Sequence, residues 1–380
     1  MAHDRALMVI TSSFPINDDG SEAAGSFVID LVKELSLSAP VRVVAPGQKK
    51  SIERLPAGVV VYRYAAPNRP LSTLRIWNPM DAFHILRTLI AGRAATMEAA
   101  ADRNVRQCIA LWAFPSGYWA RIASRKLDIP YTVWMLGSDI WSLGRIRILR
   151  PVLRTIIRRA SRRFADGLQL ATDAESIAGI NVDFLPTMRA ITIPRGLSPP
   201  KDGPPYRLLF LGRWHLNKGV DLLLEALRML DDEDWSRIRE VRILGGGSLE
   251  KLIRSEGDTL RKDGRPVFIG GFVPKSEAVS EIAEADYIII PSRIESIPLV
   301  FSDAMKLRRP VMATSVGDFA SLYRQAPFGI LAESANSESI RDALKRILRK
   351  SPREFDAGVA WHASQFDIRE VARTILRDTT

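Results

Sequence analysis

Short apolar runs recur along the whole chain, each four to seven residues at its core and often closed by Gly or Ser. ALMVITS, VRVVAPG, VVVYRYA, CIALWAF, YTVWML and GLQLAT come first; RLLFLG, VRILGGG, PVFIGGF, DYIIIPS, RPVMATSVG and FGILAES follow later. Helical patterns such as VDLLLEALRML, SEAVSEIAEA and SESIRDALKRILRK lie between several of them. A run that is apolar throughout suits a strand buried on both faces, and strands alternating with helices build parallel sheets. The alternation therefore predicts an α/β fold with doubly wound sheets. It is interrupted at GLSPPKDGPPYR, residues 196–207, where four prolines and two glycines in twelve residues deny both helix and ladder. Two Rossmann-like domains facing across a cleft are expected, 1–198 and 199–360, followed by an amphipathic stretch, 361–380. A length of 380 residues agrees with two domains of roughly 150–200 residues each.

The totals exclude several classes. With 46% hydrophobic and 26% charged residues the composition is that of a soluble globular protein, and no apolar run approaches the ~18 residues of a membrane span. The N-terminal MAHDRALMVITSS reads as a first strand rather than a signal peptide. The single cysteine, Cys108, lies in an apolar run, which excludes an intramolecular disulfide and a cysteine metal site and suits a reducing cytoplasm. No metal cluster is evident, so the expected set of cofactors and metals is empty. Charge is lopsided. Residues 1–200 hold 26 Lys and Arg against 16 Asp and Glu, a net +10, whereas residues 201–380 hold 28 against 27, a net +1. An anionic partner for the first half and a merely solvated basic face both fit.

In doubly wound sheets ligands sit beyond the carboxyl ends of the strands. The informative residues are those just after the apolar runs. In LGRWHLNKG, Arg213 leaves a strand end and Lys218 opens the next helix; two cations beside helix N–H groups suit a diphosphate, although a solvated basic loop would look the same. In PSRIESIPLVFSDAM, Glu295 follows the strand YIIIPS, Ser296 to Pro298 forms a turn, and a helix begins at Pro298. Pro is tolerated at a first turn, leaving the N–H groups of Leu299 and Val300 ahead of the helix ladder. Asp303, five residues after Pro298, shares the cleft-facing side. Two carboxylates beside two cations fit a ligand carrying both phosphates and hydroxyls, such as a nucleotide sugar; acids at a helix start can also serve the helix dipole alone. LGGGS, 244–248, is a glycine-rich turn without the dinucleotide spacing. In the first half, Gly25 stands at a helix start where backbone can approach a phosphate, and Asp139 in WMLGSDIW ends a strand, placed to bind hydroxyls or cap a helix.

RIRILRPVLRTIIRRASRRF, 145–164, has eight arginines and no acid. Leu149, Val152, Leu153, Ile156, Ile157, Ala160 and Phe164 follow helical spacing, with Arg147, Arg150, Arg154, Arg158 and Arg162 alongside. A basic amphipathic helix suits an anionic membrane surface, and equally a core-facing helix with a solvated arginine face. The run holds a single aromatic, Phe164, on its apolar spacing and none interleaved with the arginines for stacking on bases, so nucleic acid is not expected.

These motifs carry a family likeness. GRWHLNKGVDLLLEAL, LGGGSLEKL, GGFVPKSE, ADYIIIPSRIESIPLVFSDAM and RPVMATSVGD, in that order and spacing, resemble the retaining glycosyltransferases of family 4, which have the GT-B fold. FP…GSF, WAFPSGYWA and LGSDI extend the likeness more loosely into the first half. The resemblance implies that Arg213 and Lys218 grip the donor diphosphate, that Glu295 lies at the donor sugar and that Asp303 holds the ribose. It places backbone near Val273 at the base and Gly25 at the donor phosphates, and it makes 361–380 a crossover helix packing back on the first domain. It needs no metal ion. The family pair is Glu-x7-Glu, and here the second acid is Asp303, one methylene shorter; Leu136 and Leu111 stand where a histidine is common, which passes that role to Asp139 or to backbone.

The implied activity is transfer of a sugar, with retention, from a UDP- or GDP-sugar to a polyprenyl-linked or other glycan acceptor in surface polysaccharide assembly. The place is the cytoplasm, peripheral on the inner face of the plasma membrane. Two other classes stay open. A GT-B epimerase needs acid/base residues in the cleft, and of His3, His84, His215 and His362 only His215 is near a motif. A non-catalytic nucleotide-sugar or lipid-binding protein is the other.

Overall fold

The computed structural model of the chain describes residues 5–15, 25–67 and 78–377. It divides into two compact units, 1–186 with 368–380, and 187–367. The first boundary precedes the proline cluster for a physical reason. Arg189 forms an ion pair with Asp303, and the buried Arg309 donates to the Ser198 carbonyl at 2.5 Å, so residues 187–199 are tied to the second unit.

Eight strands form the sheet of the first unit: β1 (Ala6–Ile10), β2 (Val41–Gly47), β3 (Ser51–Leu55), β4 (Val59–Ala65), β5 (Val105–Leu111), β6 (Tyr131–Met135), β7 (Arg162–Ala165) and β8 (Asp183–Phe184). Their order is β3-β4-β2-β1-β5-β6-β7-β8, parallel except for β3 against β4. The terminal helix Ile368–Leu376 belongs here: it packs on the helix Ser26–Ser36, and Gln107 Nε2 donates to the Ile375 carbonyl at 3.2 Å.

The second unit holds β9 (Tyr206–Arg213), β10 (Ile238–Gly246), β11 (Val267–Ile269), β12 (Tyr287–Ile290), β13 (Val311–Thr314) and β14 (Gly329–Ala332), all parallel, in the order β11-β10-β9-β12-β13-β14. Counted from β9, that is 3-2-1-4-5-6, the doubly wound order whose direction of winding reverses between the first and fourth strands. Every residue of β1, β6, β12 and β13 is buried, so helices cover both faces of each sheet, which is why these runs are apolar without alternation.

Two expectations need correction. GLQLAT is not a strand. It opens the helix Leu168–Ala178, whose Leu170, Ala171, Ala174 and Ala178 are buried at helical spacing, while the strand is the preceding RRFA of β7. The basic stretch is not one helix over 145–164 either. The helix runs only Arg150–Arg159, with Pro151 in its first turn; Ala160 is extended, and Arg162 lies on β7 beside β6. Arg162 donates to the Thr374 carbonyl and Arg158 to the Ala178 carbonyl at 3.0 Å, so these two guanidinium groups satisfy backbone. Arg147, Arg150 and Arg154 are exposed and have no ion pair among the described residues.

Candidate nucleotide-sugar site

The reversal point of the second sheet lies between β9 and β12. The loops that leave these strands carry the residues singled out from the sequence, and glycines bring the loops together. Gly219 has φ +67°, and a Cβ there would sit 1.8 Å from the Pro291 carbonyl oxygen. Gly317, after β13, has φ +56°, and a Cβ there would sit 1.9 Å from the Glu295 carbonyl oxygen. Both conformations suit glycine, and both positions let main chain lie directly on main chain. The Glu295 loop is thus held on one side by Gly219 and on the other by Gly317.

Side chains fasten the same junction. Arg293 makes a two-pronged ion pair with Asp221 at 2.8 and 2.7 Å, donates to the Leu216 carbonyl at 2.7 Å, and its backbone N–H reaches the Asn217 carbonyl at 2.8 Å. Lys218 forms an ion pair with Glu295, both side chains largely buried. Arg213, at the end of β9, is exposed and has no ion pair among the described residues. Thr314 Oγ1 donates to the Ser292 carbonyl at 2.6 Å, tying β13 to the same loop. Leu299 and Val300, half-buried, open the helix Leu299–Lys306 ahead of its first bond, from the Phe301 N–H to the Pro298 carbonyl at 2.9 Å. Val273 is half-buried between β11 and the helix Lys275–Glu284.

Asp303 differs from its expected exposure. It is 0% exposed and bound by Arg189, and its second oxygen, Oδ1, has no hydrogen-bond partner. Burial pushes its carboxyl upward against the pull of Arg189, Lys306 and Lys275. Its carboxylate is enclosed between its own helix and the segment that carries Arg189.

In the first unit the reversal lies between β1 and β5. Trp112, just past β5, is held at φ +71°, an uncommon conformation for a residue with a side chain. Asp139 braces it: its carboxylate accepts from the Ala113 N–H at 2.6 Å and the Leu136 N–H at 3.3 Å, joining the loops after β5 and β6. Gly25 precedes the helix Ser26–Ser36, and a Cβ there would press on Pro15 and Phe14 at 3.1 and 3.2 Å. The polar loop before it, 16–24, lies outside the described residues.

Two expected outcomes follow from this geometry. Burial raises the Asp139 carboxyl to about 6. The folded state then binds a proton that the unfolded chain releases near pH 4, so stability falls as pH rises from about 4 to about 6, by of order 2–3 kcal/mol. Urea midpoints across that range should slope downward in the wild type and flatten in Asp139→Asn. Separately, Arg293→Asp alone should weaken nucleotide binding at least about 10-fold by releasing the Glu295 loop, and adding Asp221→Arg should restore part of it. A double variant no better than the worse single variant would remove the positioning role of this pair.

Sequence inspection passed over Arg189, Arg293, Asp221 and Gly317. Arg293 and Asp221 stand two residues before Glu295 and three after Lys218, so proximity to the motifs was the available signal. Arg189 had none, since its partner is distant in the chain. Among the described residues, no three His, Cys, Asp or Glu side chains gather in a way that could hold a metal ion.

Residues 205–350 match the family described as glycosyl transferases group 1. An uncharacterized glycosyltransferase of Methanocaldococcus jannaschii is 24% identical over 278 residues, covering 68% of this chain and 73% of that protein. A putative teichuronic acid biosynthesis glycosyltransferase of Bacillus subtilis is 25% identical over 249 residues, 62% of this chain and 59% of that one. Among solved structures, sucrose-phosphate synthase of Thermosynechococcus elongatus superimposes with a TM-score of 0.75 at 15% identity, covering 98% of this chain and 97% of that one. HepE of Anabaena, solved with UDP-glucose, gives 0.67 at 14% identity, covering 98% of both chains. The fold is GT-B, and the stretch that matches the glycosyl transferases group 1 family lies within the second unit.

Proposed function

We propose that the protein is a retaining glycosyltransferase of family 4, moving a sugar from a nucleotide-sugar donor to a lipid-linked or surface-polysaccharide precursor. The observation that carries this is the meeting of Arg213, Lys218, Glu295 and the first turn of the helix Leu299–Lys306 at the β9/β12 reversal, inside the domain that matches the glycosyl transferases. Arg213, Lys218 and the N–H groups of Leu299 and Val300 bind the diphosphate, a charge-matched site that requires no metal ion. Glu295 positions the sugar hydroxyls. Backbone at Val273 meets the base. Asp303 holds the ribose through Oδ1, the oxygen Arg189 leaves without a hydrogen bond, once the side chains over it move aside. In the reaction the bond from the anomeric carbon to the diphosphate oxygen breaks, a bond to the acceptor oxygen forms on the same face, and the acceptor proton passes to the leaving phosphate. Asp139 acts by bracing the loops of the first unit.

For the acceptor, the teichuronic acid relative and the +10 charge of residues 1–200 support an anionic, membrane-held glycan precursor, with Arg147, Arg150 and Arg154 against the inner membrane face. Among the described residues no helix is long and apolar enough to cross a membrane.

A thermal-shift panel of UDP-, GDP- and ADP-sugars tests the donor site. A true donor at 100 times its Kd should stabilise by ~2.7 kcal/mol, a shift of a few degrees. No shift with any nucleotide would refute the site. A shift without transfer to any lipid-linked glycan would leave a binding protein.

A further inference from the structure

The helix Pro79–Ala99 carries two apolar faces, and only one is covered. It starts from Asn78, whose side chain accepts from the Met80 N–H at 3.0 Å, with Pro79 in the first turn. Thr88, Gly92, Ala95, Thr96 and Ala99 are buried against the first unit. Gly92 admits the Trp119 ring, which a Cβ would meet at 2.2 Å, and Trp119 Nε1 donates to the Leu89 carbonyl at 3.0 Å. On the opposite side Met80 is 63% exposed, Phe83 58%, Leu86 57% and Ile90 61%. At 3.6 residues per turn these four fall within an arc of roughly 120°, centred about opposite the buried face. Scattered exposed apolar residues are ordinary, but a contiguous ridge of four large ones marks a contact surface.

We propose that this ridge inserts into the interfacial layer of an anionic bilayer and seats the first unit on the membrane. Charge identifies the partner. Arg87 lies within the arc and Arg93 on its flank, both exposed and without an ion pair among the described residues. Asp81, the acid of the first turn, falls on the side of the buried face. The helix packs on Tyr118–Leu127, which packs in turn on Arg150–Arg159. β4 and β6 run parallel in one sheet, so the helices that follow them begin beyond the same edge. The stretch that leads from β6 into Arg150–Arg159 carries Arg147, Arg150 and Arg154, with Ile148 80% and Val152 37% exposed. Apolar side chains rimmed by unpaired arginines match lipid tails beneath anionic headgroups. A second copy of the chain would set arginine against arginine. Nucleic acid offers nothing for the ridge. The inference deepens the membrane contact proposed above and is independent of the sugar-transfer reading.

The test uses the full chain with vesicles of phosphatidylcholine, alone or mixed with phosphatidylglycerol. Wild type should sediment with the mixed vesicles. Phe83→Ser with Leu86→Ser should lower the partition coefficient at least about 10-fold. Arg147→Gln, Arg150→Gln and Arg154→Gln together should remove much of the dependence on phosphatidylglycerol. Cys108 is buried, so Phe83→Cys offers one reachable thiol for an environment-sensitive dye. Ser255→Cys, exposed in the other unit and labelled separately, is the control. Dye at 83 should shift to the blue on vesicles and dye at 255 should not. Unaltered binding of the ridge variant, or an unmoved dye at 83, overturns the ridge while leaving the arginine contact standing if the Gln variant loses binding. Failure of wild type to bind any vesicle overturns both. A wild-type dimer that the ridge variant dissolves assigns the ridge to a second copy instead. Nucleotide thermal shifts, measured in parallel, report on the donor site separately.

Discussion

Replacing Arg213 by alanine is expected to lower sugar transfer at least ~100-fold, about 2.7 kcal/mol of transition-state stabilisation, with little loss of fold stability. The asymmetry follows from its surroundings. The side chain is exposed at the end of β9 and has no ion pair among the described residues, so removing it strands no buried partner. In the proposed reaction its charge serves a ligand whose negative charge grows as the glycosidic bond to the diphosphate breaks. Arg213→Lys should recover only part of the rate, because an ammonium cannot offer two parallel donors to neighbouring phosphate oxygens. Single-turnover rates with an accepted donor, beside urea midpoints of both variants, check the claim. Wild-type transfer in Arg213→Ala would remove the residue from the site.

Gly219→Ala should damage stability and site together. The left-handed conformation costs a residue with a Cβ roughly 1–2 kcal/mol, and displacing the Pro291 carbonyl from 1.8 Å adds about 1–3 kcal/mol. A lowered urea midpoint is expected, with a nucleotide thermal shift reduced well beyond what lost stability alone explains, because Pro291 begins the loop that carries Glu295. Gly58→Ala is the control: its φ is +72°, but no atom lies within 4 Å of a Cβ there. It should pay only the conformational cost and leave nucleotide binding unchanged. Equal effects at both positions would show that backbone strain, and not the contact between loops, dominates.

The contrast between these residues and Asp303 shows what was legible in the sequence. Strands of the second unit could be read because each is a short apolar run ended by a turn, and the sheet order places Arg213 and Glu295 together. The first unit was less legible where local composition misleads. SIERL of β3 is half polar because it is an edge strand, and RRFA of β7 was hidden in an arginine-rich run that looked helical. Asp303 could be placed on its helix but not given its surroundings. Its burial depends on Arg189, a contact across 114 positions that no local pattern announces.

The Lys218–Glu295 pair bears on which ligand the protein holds longest. A bare nucleoside diphosphate that captured Lys218 would deprive Glu295 of its counter-charge and give it nothing in exchange. In the proposed site an intact nucleotide sugar supplies phosphate to the lysine and hydroxyl groups to the carboxylate in a single event. On the proposed reading the pair works against retention of the spent nucleotide, so the Lys218–Glu295 contact favours turnover over product inhibition.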